Sequence, residues 1–173
     1  MRILLAALLA LSPVPAFTAD ASPDPAQWLA PFKQQLKQAL KEGLAQGPAH
    51  AIDVCRIQAP AIAASVAPDG VRMGRSSHRL RNTANAPADW LQPVIEEYLQ
   101  ESEPVPRQMD LADGRKAWVE PIMTDGVCLA CHGEKLSPAV SDALARYYPE
   151  DQATGFKVGD LRGVFWVTWK PAQ

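Results

Sequence analysis

The stretch 107-RQMDLADGRKAWVEPIM-123 is the part of the sequence that says most about the fold. Two strand-prone runs flank Asp113-Gly114, and an Asp-Gly pair in this position is a strong β-hairpin signal. Farther along, RGVFWVTWK (162–170) is rich in β-branched and aromatic residues. The earlier GVRMGRS (70–76) alternates enough to form a short strand. These segments predict an antiparallel sheet.

Helices are expected on both sides of these strands in the chain. Asp24-Pro25 is typical of an N-cap followed by proline at the first helical position. An amphipathic N-terminal helix should follow, because apolar residues recur at helical spacing. They are Trp28, Leu29, Phe32, Leu36, Leu40 and Leu44. A second helix is predicted from Pro48 to about Ala59, where Pro60 should interrupt it or begin a new turn.

Two more helices complete the expected set of elements. PADWLQPVIEEYLQ (87–100) predicts a helix in which Pro93 is tolerable only near the first turn. Ser137-Pro138 should cap a helix that carries Val140, Leu144 and Tyr147. Because the helices do not alternate regularly with the strands, the predicted class is α+β with an antiparallel sheet and flanking helices.

The first residues resemble a secretory signal peptide. Arg2 precedes an apolar core over 3–11, and small residues and prolines follow. Cleavage is expected after Ala16 or Ala21. The core is too short to cross a membrane, which takes about 20 residues. We therefore expect a periplasmic protein with no stable membrane span after cleavage.

Composition predicts a single domain over residues 22–173. The 173-residue chain has 17 basic and 19 acidic residues, so no strong net charge favours nucleic acid or an anionic membrane as a partner. Its 16 prolines are spread between elements and do not form a low-complexity run.

TDGVCLACHGEKLS (124–137) contains the motif with the clearest chemistry. In Cys-x-x-Cys-His, two thiols are spaced to add to the haem vinyl groups, and the next histidine reaches the iron. Cys128, Cys131 and His132 are therefore the predicted covalent attachment site for one haem c. A structural zinc site would need a second ligand pair, which the sequence lacks. A thioredoxin-like redox pair would lie at the start of a helix that follows a parallel strand, and that context is absent here. A plain disulfide between Cys128 and Cys131 remains an alternative. Asp125-Gly126 suggests that the motif lies in a loop.

Cys55 is the third cysteine and has no partner once the motif is used. It shares a predicted helix face with Ile52 and Ala59. It could bridge two chains or be an inert buried thiol. It could also be the second axial ligand, because a thiolate binds ferric haem strongly. Chemistry alone leaves these alternatives open, and the position excludes a lipid anchor.

Five other residues are alternative distal ligands. Met73, Met109 and Met123 could each complete a His/Met pair, although methionines on strands are more often core residues. His50 and His78 could also bind iron, but a solvated histidine is the more common case.

Basic and aromatic residues could complete a haem pocket. Arg79 and Arg81 are the predicted partners of the haem propionates, and they would share a face with Arg75 if RMGRSSHRLRN (72–82) were a strand. The alternative is a solvated strand or loop. An aromatic set is expected in the core, with at least one member lining the pocket. It comprises Trp118, Phe165, Trp166 and Trp169.

Four blocks together resemble the Tll-like c-type haem domain family of exported proteins. They are AIDVCRIQAPAIA (51–63), GRSSHRLRNTANAPADW (74–90), CLACHG (128–133) and YYPEDQATGFKVGDLRGVFWV (147–167). The resemblance spans roughly 28–168. It implies a PAS-like antiparallel sheet with flanking helices and a His/Cys-ligated haem, in which Cys55 and His132 are the axial ligands. The chain departs from the family pattern at His78, often leucine, and at Thr83, often proline.

A His/Cys haem suggests two functions. The first is a haem-based redox or gas sensor, in which reduction weakens the iron–thiolate bond and a small gas or His78 takes the vacated position. The alternative is a low-potential electron-transfer cytochrome that stays six-coordinate in both redox states. An enzyme is not expected, because nothing resembles a distal acid/base pair. A redox or signalling protein partner is implied in either case.

Overall fold

A computed structural model describes residues 24–171. The predicted signal peptide, 1–21, lies outside the described residues. The elements in chain order are α1 (Pro25–Ala45), α2 (Pro48–Val66), β1 (Val71–Ser76), α3 (Gln92–Tyr98), β2 (Arg107–Asp110), β3 (Lys116–Met123), α4 (Leu129–His132), α5 (Pro138–Tyr147) and β4 (Leu161–Trp169), with 3₁₀ turns at Thr83–Asn85 and Gly126–Cys128. The predicted α+β class is confirmed.

The four strands form one antiparallel sheet in the order β1-β4-β3-β2. β2 and β3 form the predicted hairpin, and Gly114 in its turn has a φ of +80°. Gly163 lies where β4 passes closest to β1. A Cβ there would come 2.3 Å from the carbonyl oxygen of Ser76, so the position requires glycine.

The sheet has an apolar layer on each face. α1 and α2 cover one face, where Leu29 and Phe32 pack against Val167 and Trp169. α3 covers the other face. Aromatic side chains contribute to both layers: Trp169 is buried, whereas Trp118, Phe165 and Trp166 are half-buried and pack against the two clusters. The expected aromatic core is confirmed.

The predicted end of α2 was wrong, because the helix continues through Pro60 to Val66. Pro60 cannot donate a backbone hydrogen bond to the carbonyl of Arg56. Arg56 is exposed, so water can satisfy that oxygen. Beyond the proline, Ile62 and Val66 pack against the α1 side of the core, and this burial stabilises the last two turns.

The other helices follow the sequence signals closely. Asp24 caps α1 by accepting a hydrogen bond from the Ala26 N–H at 3.0 Å. Pro93 lies in the first turn of α3, as predicted, but α3 is shorter than the 87–100 segment. Ser137 caps α5. Between residues 24 and 171, no helix combines the length and apolar character needed to cross a membrane.

Candidate functional site

The Cys-x-x-Cys-His motif lies on two short helical turns rather than in an open loop. The Asp125 carboxylate caps the first turn by accepting from the Gly126 N–H at 2.6 Å, and the Asp125 N–H contacts Cys128 Sγ at 3.4 Å. α4 then carries Cys131 and His132. Positions three and four apart on a helix share a face. The local fold therefore presents both thiols and the imidazole on one side.

The His132 ring is held in a defined orientation. In the tautomer that this geometry selects, Nδ1–H donates to the carbonyl oxygen of Ala153 at 2.6 Å, which leaves the lone pair on Nε2. That lone pair faces a guanidinium nitrogen of Arg162 at 3.3 Å. Burial, followed by the charges of Arg162 and Arg81, lowers the His132 pKa to about 2. The imidazole is therefore neutral near pH 7.

The backbone after His132 is anchored to a second segment. The His132 carbonyl accepts from the Phe156 N–H at 2.9 Å, and the Gly133 carbonyl accepts from the Gly155 N–H at 3.0 Å. A Cβ at Gly133 would come 2.7 Å from the Leu129 carbonyl oxygen, so only glycine permits this tight exit from α4. The motif and the segment over 151–156 thus form one unit.

Cys55 approaches this unit from α2. Ile52, one turn earlier on that helix, belongs to an apolar cluster with α5, and Cys131 packs against the same cluster. Burial raises the pKa of the Cys55 thiol, while Arg75 and Arg81 act in the opposite direction. Burial also raises the Cys131 pKa, and Cys55 adds to that increase. α2 therefore brings Cys55 close enough to the Cys-x-x-Cys-His motif to influence Cys131, although α2 and α4 are distant in sequence.

Arg79 lies in the segment after β1, which ends at Ser76. The strand face that would have aligned it with Arg81 is therefore absent. Arg79 donates to the Gln152 carbonyl oxygen at 3.0 Å and to the Thr154 carbonyl oxygen. Its guanidinium also lies 4.5 Å from the centroid of the Phe156 ring.

Arg81 makes a denser set of contacts beside the motif. It pairs with the Asp151 carboxylate at 3.0 Å and donates to the carbonyl oxygens of Cys131 at 2.6 Å and Ala153 at 3.2 Å. Ala153 is the residue that orients His132. Arg81 therefore holds both the attachment turn and the acceptor of the histidine, and its predicted pairing with a haem propionate stays a prediction.

Arg162 and Arg75 also lie at this site and, like Arg79, have no carboxylate partner among the described residues. Arg162 donates to Ser77 Oγ at 3.4 Å and contacts His132, and its Nε is buried without a partner within residues 24–171. Burial lowers the Arg162 pKa to about 10. The Arg75 pKa is also lowered by burial, with the charge of Cys55 opposing that shift. Sequence reasoning missed Arg162; its signal was a charge at the start of an otherwise apolar strand.

The alternative ligands are spread over the molecule, and one of them, His78, lies near His132, since both rings are neighbours of Phe156. Met73 is buried in the cluster under α1, Met109 packs on the α3 side, and Met123 is exposed. His50 is exposed beside a cleft of about 360 Å³ between α2 and α5. His78 lines a cleft of about 420 Å³ and contacts the edge of Phe156, with 5.9 Å between ring centroids.

Comparison with known proteins gives a family and a fold. A family model described as Tll0287-like matches residues 20–169. A solved structure titled "Crystal structure of the cyanobacterial heme-protein Tll0287" matches with 24% identity and a TM-score of 0.63, covering 88% of this chain and 99% of that one. No curated protein matches this chain. Since the family model covers most of the sequence, the chain belongs to the Tll0287-like family.

Proposed function

We propose that this chain is an exported c-type cytochrome with one haem, bound through Cys128 and Cys131 and ligated by His132 and Cys55, and that it acts as a haem-based redox or gas sensor. The observation that carries the proposal is the meeting of Cys55 with the attachment motif at one site. The family's solved relative is a heme-protein by its title, which supports the cofactor.

The donor set fits a haem. His132 keeps its Nε2 lone pair because Nδ1–H is committed to the Ala153 carbonyl, which is how proteins orient a ligating histidine. The low pKa of His132 keeps that nitrogen unprotonated across the physiological range. When bound, haem would supply a redox-active iron with two axial positions, one for an imidazole and one for a sulfur.

The environment of Cys55 favours the sensor over the electron carrier. Burial raises the pKa of this thiol, and the arginines Arg75 and Arg81 offset burial only in part. A Cys55 sulfur that leaves the iron therefore takes up a proton and becomes a neutral thiol, which is a poor ligand. This preference of Cys55 for the neutral form supports the sensor, in which the sulfur leaves the iron on reduction.

The ligand assignment is tested by Cys55→Ala in protein matured in an export-competent host. The variant should keep covalent haem but lose the ferric thiolate absorption signature. Ile57→Ala is a matched control, because Ile57 is on the same helix and its side chain is exposed. A ferric spectrum of Cys55→Ala identical to that of the wild type would remove Cys55 from the site.

The sensor is separated from the carrier by adding carbon monoxide to the reduced protein. Rapid formation of an adduct is expected of a sensor, since Cys55 must vacate its position. A ferrous form that stays inert to carbon monoxide would instead indicate a six-coordinate electron-transfer cytochrome. The same preparation reports export, because the mature mass should correspond to cleavage after Ala16 or Ala21.

A further inference from the structure

Four arginines and one carboxylate surround the proposed site. The arginines are Arg75, Arg79, Arg81 and Arg162, and their acidic neighbour is Asp151. Asp151 is already paired with Arg81, and Arg79 is held by two backbone carbonyls. Arg81 and Arg79 thus have the partners they need within the protein.

Arg75 and Arg162 do not have such partners. No hydrogen bond or ion pair joins the Arg75 side chain to another residue in the described part of the chain. Arg162 contacts a neutral histidine and a hydroxyl, and its Nε is unsatisfied among residues 24–171. Holding the unpaired Nε of Arg162 away from water is costly, and Arg75 is half-buried beside it without an acidic partner, so both guanidinium groups can receive an anion.

The contact between Arg162 and His132 shows why Arg162 would need a new hydrogen-bond acceptor when haem binds. The Nε2 atom that accepts from Arg162 is the atom proposed to bind iron. Iron ligation therefore removes this hydrogen bond from Arg162 and leaves its guanidinium without an acceptor. A replacement acceptor has to arrive with the cofactor.

Resting on the proposed function, we propose that Arg75 and Arg162, and not Arg79 and Arg81, are the partners of the two carboxylates of the bound haem. In the ferric state this assignment pairs the charges of the cofactor, and the charge at the site that keeps only neutral carbonyl acceptors is that of Arg79. One positive charge on the iron porphyrin core meets the Cys55 thiolate, and two carboxylates meet two guanidinium groups. Arg81 acts instead as a positioning residue that fixes the Ala153 carbonyl and, through it, the His132 ring. Arg79 holds the neighbouring carbonyls of Gln152 and Thr154.

The test is the pH dependence of the midpoint potential of the purified holoprotein. The Cys55 thiol that is released on reduction takes up one proton, so the wild-type potential should fall with a constant slope from about pH 5 to about pH 8. Carboxylates paired with arginine stay ionised in this range and add nothing to that slope. In Arg75→Gln or Arg162→Gln, one carboxylate loses its partner and its pKa rises. Reduction also favours protonation of this carboxylate, so the potential should fall more steeply than in the wild type where the carboxylate titrates. Arg72→Gln, an exposed position on β1, should keep the wild-type slope.

Other titratable groups near the pair remain in all these variants. They are Cys55, Cys128, Asp151 and Tyr148. A steeper slope in Arg79→Gln or Arg81→Gln and not in Arg75→Gln or Arg162→Gln would overturn the assignment. If a glutamine variant does not accumulate, Arg75→Lys and Arg162→Lys replace it. Because lysine cannot pair with a carboxylate in the two-pronged geometry of arginine, a smaller increase in slope is expected, and the wild-type slope in both would overturn the assignment.

If the proposed function itself is wrong, the measurements should give a different result. Wild-type protein without thioether-linked haem, measured by pyridine haemochrome and mass, would overturn the proposed function and this inference together. Covalent haem with the wild-type slope in both glutamine variants would overturn only the carboxylate assignment.

Discussion

The two sides of α2 differ in how their side chains are satisfied. Toward α1 and the sheet, the helix joins an apolar layer in which Leu29, Phe32 and Val167 are almost fully buried. Toward α4, it meets a neutral imidazole, thiols and arginines, of which only Arg81 has an acidic partner within residues 24–171. The apolar side therefore accounts for the stability of the fold. The α4 side carries arginine charge that is not paired with a carboxylate in the described chain, and it is the side on which the proposed ligand would bind.

The largest effect is expected from Phe32→Ala. Phe32 is 1% exposed and meets Phe165 edge-on, with 5.6 Å between ring centroids. Its removal leaves a cavity in the apolar layer and should lower the free energy of unfolding by about 3–5 kcal/mol. Urea denaturation measures this, with the exposed Gln34→Ala on the same helix as control.

If the apolar side and the α4 side of α2 are independent, the Phe32→Ala protein that remains folded should have unchanged haem content and an unchanged spectrum. A loss of thiolate ligation in this variant would mean that the apolar layer and the site are not independent.

An increase in the free energy of unfolding is expected from Arg75→Met in haem-free protein produced without export. Methionine fills a similar volume without a buried unpaired charge, so the free energy of unfolding should rise by about 1–2 kcal/mol. Arg72→Met on the same strand is exposed and should change stability little. Thermal denaturation distinguishes them. Destabilisation by Arg75→Met would show that the guanidinium has a stabilising role of its own.

The apolar side could be predicted from the sequence because its signals are local. The 3.6-residue spacing of α1, the Asp24 cap and the Asp113-Gly114 turn each depend on neighbours in the chain. Pro60 misled the prediction, because burial of Ile62 and Val66 outweighs the lost backbone hydrogen bond. That is a tertiary effect, which a local pattern does not contain.

The site could be predicted only in part. The motif identifies Cys128, Cys131 and His132 by spacing, and Cys55 was selected by family resemblance, since chemistry left its role open. The acceptor that orients His132 is a backbone carbonyl, at Ala153, which no side-chain pattern marks. Arg162 reaches the histidine from a strand 30 residues later, so its role depends on the sheet.

The smallest effect is expected from a substitution at His78, which tests whether this residue also contributes to the unpaired charge near His132. This half-buried ring has an Nδ1 without a partner among the described residues, and burial, then Arg79 and Arg162, lowers its pKa, with Asp160 opposing. Since the unfolded chain binds a proton near pH 6.5 and the folded one at lower pH, stability should be lost as pH falls below about 6.5. His78→Gln should reduce that loss in urea titrations at successive pH values. Equal acid sensitivity in the wild type and His78→Gln would confine the unpaired charge to the arginines around His132.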